Sequence, residues 1–246
     1  MLLDGELLID LGPDLMAASQ IHAAPLSSIR YCLQTHEHED HLHPHHLLSR
    51  SKYCGVGGGV PVLHLVASSN ALRKIANAMR QMISFNGAPD SDQFAQINLS
   101  VQEVQPFETI LLGSYRVTTI AANHAPETTA LLYVIERDGR CLFYATDTGE
   151  LNERSWQALV ASGFQFNVVV LDHTFGLQQR RSTGHMNQMM FIEHIERLRR
   201  CRLLAEDARI YAHYLAHHSN PSHDELSTLA APHGYLIAHD GLIVEV

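Results

Sequence analysis

Thr35-His36-Glu37-His38-Glu39-Asp40-His41 sets three imidazoles and a spaced carboxylate in one heptad, and the reading of this stretch decides the fold. It continues the apolar, β-branched and aromatic run Ile29-Arg30-Tyr31-Cys32-Leu33-Gln34-Thr35, which predicts a strand entering a buried sheet. His36, His38 and Asp40 alternate at period two, so near a strand's end they project to one side, with His41 arriving from the next turn. Neutral imidazole and ionised carboxylate are the ligands that zinc, manganese and iron take. The plain alternative is a solvated His-rich loop, in a chain with 18 His among 246 residues. Groups packed this closely repel or compete unless a cation satisfies them, which favours the metal.

The pattern His36-x-His38-x-Asp40-His41 behind an apolar strand resembles the signature of the metallo-β-lactamase superfamily. Members of that superfamily supply their remaining ligands in a fixed order from separate loops. The matching positions here are a lone His in Ala121-Ala122-Asn123-His124, an Asp in Leu142-Phe143-Tyr144-Ala145-Thr146-Asp147-Thr148-Gly149, and a last His in Ile210-Tyr211-Ala212-His213. They occur in the expected order and cover nearly the whole chain. The resemblance implies an αββα sandwich, two mixed sheets face to face with helices outside, where periodicity alone yields only an α/β chain. It also implies two divalent metal ions, zinc or manganese, with iron as the alternative. His36, His38 and His124 would hold one, Asp40, His41 and His213 the other, and Asp147 would bridge them. A carboxylate suits a bridge because it offers two oxygens, whereas an imidazole offers one lone pair. Paired cations acidify a shared water to hydroxide near neutral pH and clamp both the attacking and the leaving oxygen of an in-line displacement.

Val168 to Leu171 leads into Asp172-His173-Thr174-Phe175-Gly176, and Gly184-His185-Met186-Asn187 stands at the mouth of a helix. These segments resemble the phosphodiesterase branch of the superfamily, which includes cyclic phosphodiesterases of phosphonate breakdown and tRNA-maturing endonucleases. The resemblance implies that His185 assists the leaving oxygen with Asp172 close by, and Asp40 completes the catalytic set. An alkoxide departs poorly unaided, and imidazolium is a suitable general acid. The tail departs from the relatives' His-x-x-His by one residue, giving His213-x-x-x-His217. His213 is the expected ligand because it directly ends a strand, with His217 as the fallback. His22, His64, His194, His233 and His239 read as surface or satisfied-core residues, and His43, His45 and His46 as mostly solvated neighbours of the metal loop.

The ligands spread from His36 to His213, so one domain over residues 1–246 is expected, since a cut would split the site. The strand at Leu7 to Leu11 opens the chain almost directly, whereas related chains begin with a further glycine-rich strand. The first sheet is then abbreviated, or a partner such as a second copy in a homodimer covers its edge. Hydrophobic residues at 46% and charged residues at 17% are ordinary globular values. No run approaches the roughly 18 apolar residues of a membrane span and no signal segment opens the chain, so a cytoplasmic enzyme is expected. The net charge of -9 argues against a dedicated nucleic-acid surface, and the resemblance leaves a small phosphodiester as the expected substrate. Cys32, Cys54, Cys141 and Cys201 form no CxxC pair and read as reduced thiols.

Further strands are expected at Val60 to Val66, Leu99 to Val104, Tyr115 to Ala122, Thr129 to Ile135 and Cys141 to Ala145, and helices at 68–83, 152–162, 185–202 and 222–230. Asn152 and Ser222 are expected helix caps, and Asp138-Gly139 a type I′ hairpin turn. Gly55 to Gly59 lacks the Lys and Ser/Thr of a phosphate loop and reads as a connection, and Ser84 to Asn98 as a pocket-shaping loop. Two other classes stay open. One is a hydrolase of the same fold opening a lactone, thioester or β-lactam. The other is a non-hydrolytic protein similar to those of pyrroloquinoline quinone assembly.

Overall fold

The computed structural model describes residues 1–51, 59–82 and 94–245. Cys54, most of the Gly55 to Gly59 run, residues 84–93 of the pocket-shaping loop and the last residue of the helix expected at 68–83 lie outside them. Contacts group the chain into two compact units, Met1–Gln105 and Pro106–Val246, each built on one mixed sheet flanked by helices.

In the first unit the sheet runs β1 (Leu2–Leu3), β2 (Leu7–Ile9), β3 (Tyr31–Leu33), β4 (Leu63–Ala67) and β5 (Leu99–Glu103) in that order. β1 is antiparallel to β2 and every other pair is parallel. Parallel strands need crossovers, which α1 (Leu15–Ile21) and α2 (Ser69–Met82) help supply, and they read as continuous apolar runs because both faces are covered. Leu65, Cys32 and Leu8 share one core with Leu42, Ile75 and Met79. β2 and β3 are shorter than expected. β2 stops at Ile9 because Asp10 turns to φ +66°, and β3 stops at Leu33, opposite Ile9 in register.

The second sheet runs β12 (Leu236–Ile237), β11 (Leu204–His213), β10 (Phe166–Asp172), β9 (Arg140–Ala145), β8 (Leu131–Arg137), β7 (Tyr115–Ala121) and β6 (Thr109–Leu112). β6 to β9 form an antiparallel meander, and β9 to β12 are parallel. Asp138 (φ +49°) and Gly139 (φ +78°) make the β8–β9 turn, as a primed hairpin requires. β6, β12, β1 and α1 were not expected. β6 hides because Leu111, 75% exposed, breaks its alternation, and the others are short.

Three helices attach to this sheet: α3 (Glu153–Ser162), α4 (Gln188–Arg200) and α5 (His223–Ala230). Asn152 accepts from Ser155 N, Asn187 from Met190 N, and Ser222 with Glu225 forms a full capping box, each satisfying helix-start amides that otherwise lack partners. Trp156, Phe166, Phe191 and Leu171 lie in the shared core. Among the described residues no helix is long and apolar enough to cross a membrane.

Candidate metal centre and catalytic dyad

In the first unit the parallel register brings the ends of β2 and β3 side by side, so Asp10 stands beside the residues that follow Leu33. Asp10 Oδ1 accepts from Thr35 N (2.8 Å), Thr35 Oγ1 (2.9 Å) and Gln34 Nε2 (2.8 Å), and its Oδ2 meets His41 Nδ1 at 2.8 Å. A carboxylate at Nδ1 fixes that ring's tautomer and turns Nε2 outward, the support that metal-ligating imidazoles receive. Thr35 Oγ1 lies 3.0 Å from His36 Nδ1, and His36 Nε2 lies 3.0 Å from His38 Nδ1. Two bonds of 2.0–2.1 Å at a tetrahedral angle set such nitrogens ~3.3 Å apart, so the pair fits a common zinc-like cation. His36 and His41 are buried, His38 is half-buried, and the Asp40 carboxylate is exposed, 3.7 Å from His41 Nε2.

Helix α2 clamps the heptad from one side. Asn70 Nδ2 donates to Glu37 Oε1 (3.1 Å), and Lys74 Nζ reaches Glu37 O (2.6 Å) and Glu39 Oε1 (3.0 Å). A Cβ on Gly12 would stand 2.7 Å from Asp40 O, so this position accepts only glycine without displacing the loop. His43 precedes a short 3-10 helix, Pro44–Arg50, that carries His45 and His46, with ring centroids 4.9 Å from His43 to each.

In the second unit the site gathers at the carboxyl ends of three adjacent parallel strands, where open α/β sheets place ligands. Ala145 pairs with Leu171 and Asp172 with His213, so Asp147, Asp172 and His213 come off neighbouring strand ends. The Asp172 side chain is fully buried and accepts from Thr174 N (3.0 Å), Thr174 Oγ1 (3.0 Å) and Met186 N (2.9 Å). Its Oδ2 also meets His185 Nδ1 at 2.9 Å. A buried carboxylate is tolerated only when so paired. His185 Nδ1 is 3.8 Å from Asp147 Oδ1, and ligand atoms of Asp147, Asp172 and His185 all lie within 4.8 Å of one another. His124 Nδ1 faces Gly184 O at 3.0 Å, which leaves its Nε2 toward Asp147 Oδ2, 3.9 Å away. His213 ends β11 half-buried, whereas His217 is exposed in the following turn. Donor chemistry, burial and Nδ1 support in both units fit divalent cations.

The backbone around these groups is constrained. Asp147 holds φ +52° and Tyr214, next to His213, φ +61°. Thr148 Oγ1 accepts from Asn123 N (3.0 Å), and Gly149 N donates to Asn123 O (2.7 Å), tying the loops of Asp147 and His124 together. A Cβ on Gly149 would stand 2.2 Å from Thr183 O, so the segment leading to His185 packs directly on the Asp147 loop. Asn220 donates to His173 O, Thr174 O and Ala216 O, fixing the segment after His213. Burial pushes the His173 imidazole below its ordinary pKa, so the neutral ring donates from Nδ1 to Asn220 Oδ1, 3.0 Å away.

Sequence reading missed Asp10, Thr35, Gly149, Asn220 and Tyr214. The signal for Asp10 was its place at the end of a strand parallel to the one feeding the heptad; for the others no local signal existed. His194 is a satisfied core residue as expected: Nδ1 donates to Met190 O (2.9 Å), and Nε2 accepts from Leu151 N (3.1 Å).

Two mixed sheets with helices and His/Asp groups at strand ends define a metallo-β-lactamase-fold protein with candidate metal-binding groups. Residues 6–214 match the family described as the beta-lactamase superfamily domain, and the chain belongs to it. Its fold is similar to that of a diphosphatase from the PhnP family, at 20% identity and TM-score 0.70, covering 100% of this chain and 82% of that one. It is also similar to Zn(2+)-bound PqqB from Methylobacterium extorquens (19% identity, TM-score 0.68, 100% and 86% covered). Human tRNase Z, short form, is similar at 13% identity and TM-score 0.67, with 100% and 90% covered. No curated protein matches the sequence.

Proposed function

We propose that this protein is a binuclear metal-dependent phosphodiesterase acting on a small or cyclic phosphodiester, both units serving as one catalytic domain. Family membership across residues 6–214, which reaches into both units, supports a joint ligand set. His36, His38 and His124 would hold one cation and Asp40, His41 and His213 the other, with the Asp147 carboxylate serving both. When bound, the cations supply an acidified water and Lewis-acid contacts to the phosphate oxygens.

The observation that supports the choice of substrate is the 2.9 Å contact between His185 Nδ1 and buried Asp172 Oδ2. Asp172 stabilises the imidazolium, and with Nδ1 engaged the proton to be given sits on Nε2. That is the equipment for protonating an alkoxide, the leaving group of an alkyl phosphodiester, whereas a thiolate leaves without it. The net charge of -9 favours a small anion over a polynucleotide, since binding the latter requires clustered cations. Homodimerisation and cytoplasmic residence are part of the same reading.

The test pairs metal analysis of the purified protein with a substrate panel. Bis(p-nitrophenyl) phosphate and cyclic phosphodiesters are expected to turn over and acyl esters not. Acyl hydrolysis alone points to lactone or thioester chemistry, and oxygen-dependent turnover with iron to the non-hydrolytic class. His185→Ala should retain metal and slow alkyl leaving groups by about 10²–10⁴ while sparing p-nitrophenolate. Equal loss on both removes His185 from the acid role.

A further inference from the structure

Tyr214 occupies a place the metal and acid roles leave unexplained. It directly follows His213 and is half-buried at φ +61°, in the left-handed region that bulky side chains avoid and glycine adopts freely. Its ring is nearly parallel to that of His185, 9° between planes with centroids 6.4 Å apart, and lies 6.3 Å from the His213 ring. Phe175 meets His185 edge-on at 5.2 Å, so two aromatic side chains stand near the imidazole. Phe107 and Arg202 also hold positive φ, so the backbone angle does not make the assignment by itself; the ring's place does. A strained residue beside a general acid persists where function uses the conformation.

We propose that Tyr214 is the platform for the group that departs from phosphorus, and that it selects a planar or ring-shaped leaving group over a small alkyl one. This rests on the phosphodiesterase reading. An acid that protonates the leaving oxygen must stand against the leaving group, and the ring beside His185 is then the surface on which that group packs. The aromatic face gives stacking contact at little conformational cost, since the φ of Tyr214 and the packing around it already hold the ring.

The test uses the full chain loaded with metal and two non-hydrolysed anions, phenylphosphonate and methylphosphonate, with binding measured by calorimetry. The wild type is expected to bind phenylphosphonate about tenfold more tightly than methylphosphonate, the worth of one good aromatic contact. Tyr214→Ala should erase that ratio while leaving methylphosphonate affinity and metal content unchanged, and Tyr214→Phe should keep it. Tyr214→Gly, which also relieves the backbone at this position, should erase it too. A ratio that survives Tyr214→Ala, or a wild type without preference, overturns the platform. A wild type that binds neither anion overturns the phosphodiesterase reading itself, and the platform with it.

Discussion

Gly149→Ala adds one methyl group and touches no candidate ligand, yet it should disable the candidate site of the second unit. The added Cβ would stand 2.2 Å from Thr183 O, 2.6 Å from Thr183 C and 3.1 Å from Ser182 O. Carbon and oxygen need roughly 3.3 Å or more, so the backbone at Thr183 must retreat by about 1 Å. Backbone atoms on both sides leave no flexible side chain to absorb the shift. Gly184 follows Thr183, and its carbonyl orients His124; His185 comes next and pairs with Asp172. Overpacking of this kind costs about 1–3 kcal/mol, and at roughly 2–4 °C per kcal/mol for a chain of this size Tm should fall by several degrees. A 1 Å misplacement of catalytic groups costs about 10²-fold in rate, and loss of an orienting partner about 10–100-fold in metal affinity. Calorimetric melting, zinc titration against a competing chelator and turnover of bis(p-nitrophenyl) phosphate read these three effects. A variant with wild-type metal affinity and turnover would refute the coupling of the Asp147 loop to the His185 segment.

Asp10→Asn keeps the size of the side chain but removes the charge opposite His41, and metal affinity should fall by about 10–100-fold while the melting temperature changes little; chelator competition measures it. Asp172→Asn should retain metal but shift the alkaline limb of the pH–rate profile, where the acid loses its proton, to lower pH, because the imidazolium of His185 loses its counter-charge; an unmoved limb removes Asp172 from that role. Burial holds the His194 imidazole below its ordinary pKa, outweighing the raising effects of its bond to Met190 O and of Glu150 and Glu193; Arg197 lowers it further. The unfolded chain therefore takes up a proton before the folded one does, and stability should fall by up to about 1.4 kcal/mol per pH unit as pH drops below about 6.5 toward the folded value. In His194→Gln, which has no titrating group, the stability deficit measured by urea unfolding at pH 7.5 should narrow at pH 5.5; a constant deficit would show that His194 does not titrate with unfolding.

Much of the candidate site was legible because its residues obey local rules. His36, His38, Asp147, Asp172 and His213 all follow apolar strands, and a strand's end is where a buried sheet hands polar side chains to a cleft. The caps at Asn152 and Ser222 and the Asp138-Gly139 turn were equally local, since each is decided by side-chain reach or backbone sterics within four residues. Asp10, Gly149, Asn220 and Tyr214 were not, because their roles depend on partners far along the chain: Asp10 on His41, Gly149 on Thr183, Asn220 on His173, Tyr214 on His185.

By itself the sequence determined the residue chemistry and its order: imidazoles and carboxylates at strand ends, with the heptad at 35–41 foremost. Tertiary structure decided which nitrogen each imidazole presents, through oxygens of Asp10, Thr35, Gly184 and Asp172, and which backbone positions admit no side chain. It also decided that the Tyr214 ring lies nearly parallel to that of His185. The physical reason is that ligand identity is a property of one side chain, whereas tautomer, close approach and ring placement belong to pairs brought together by parallel strand register.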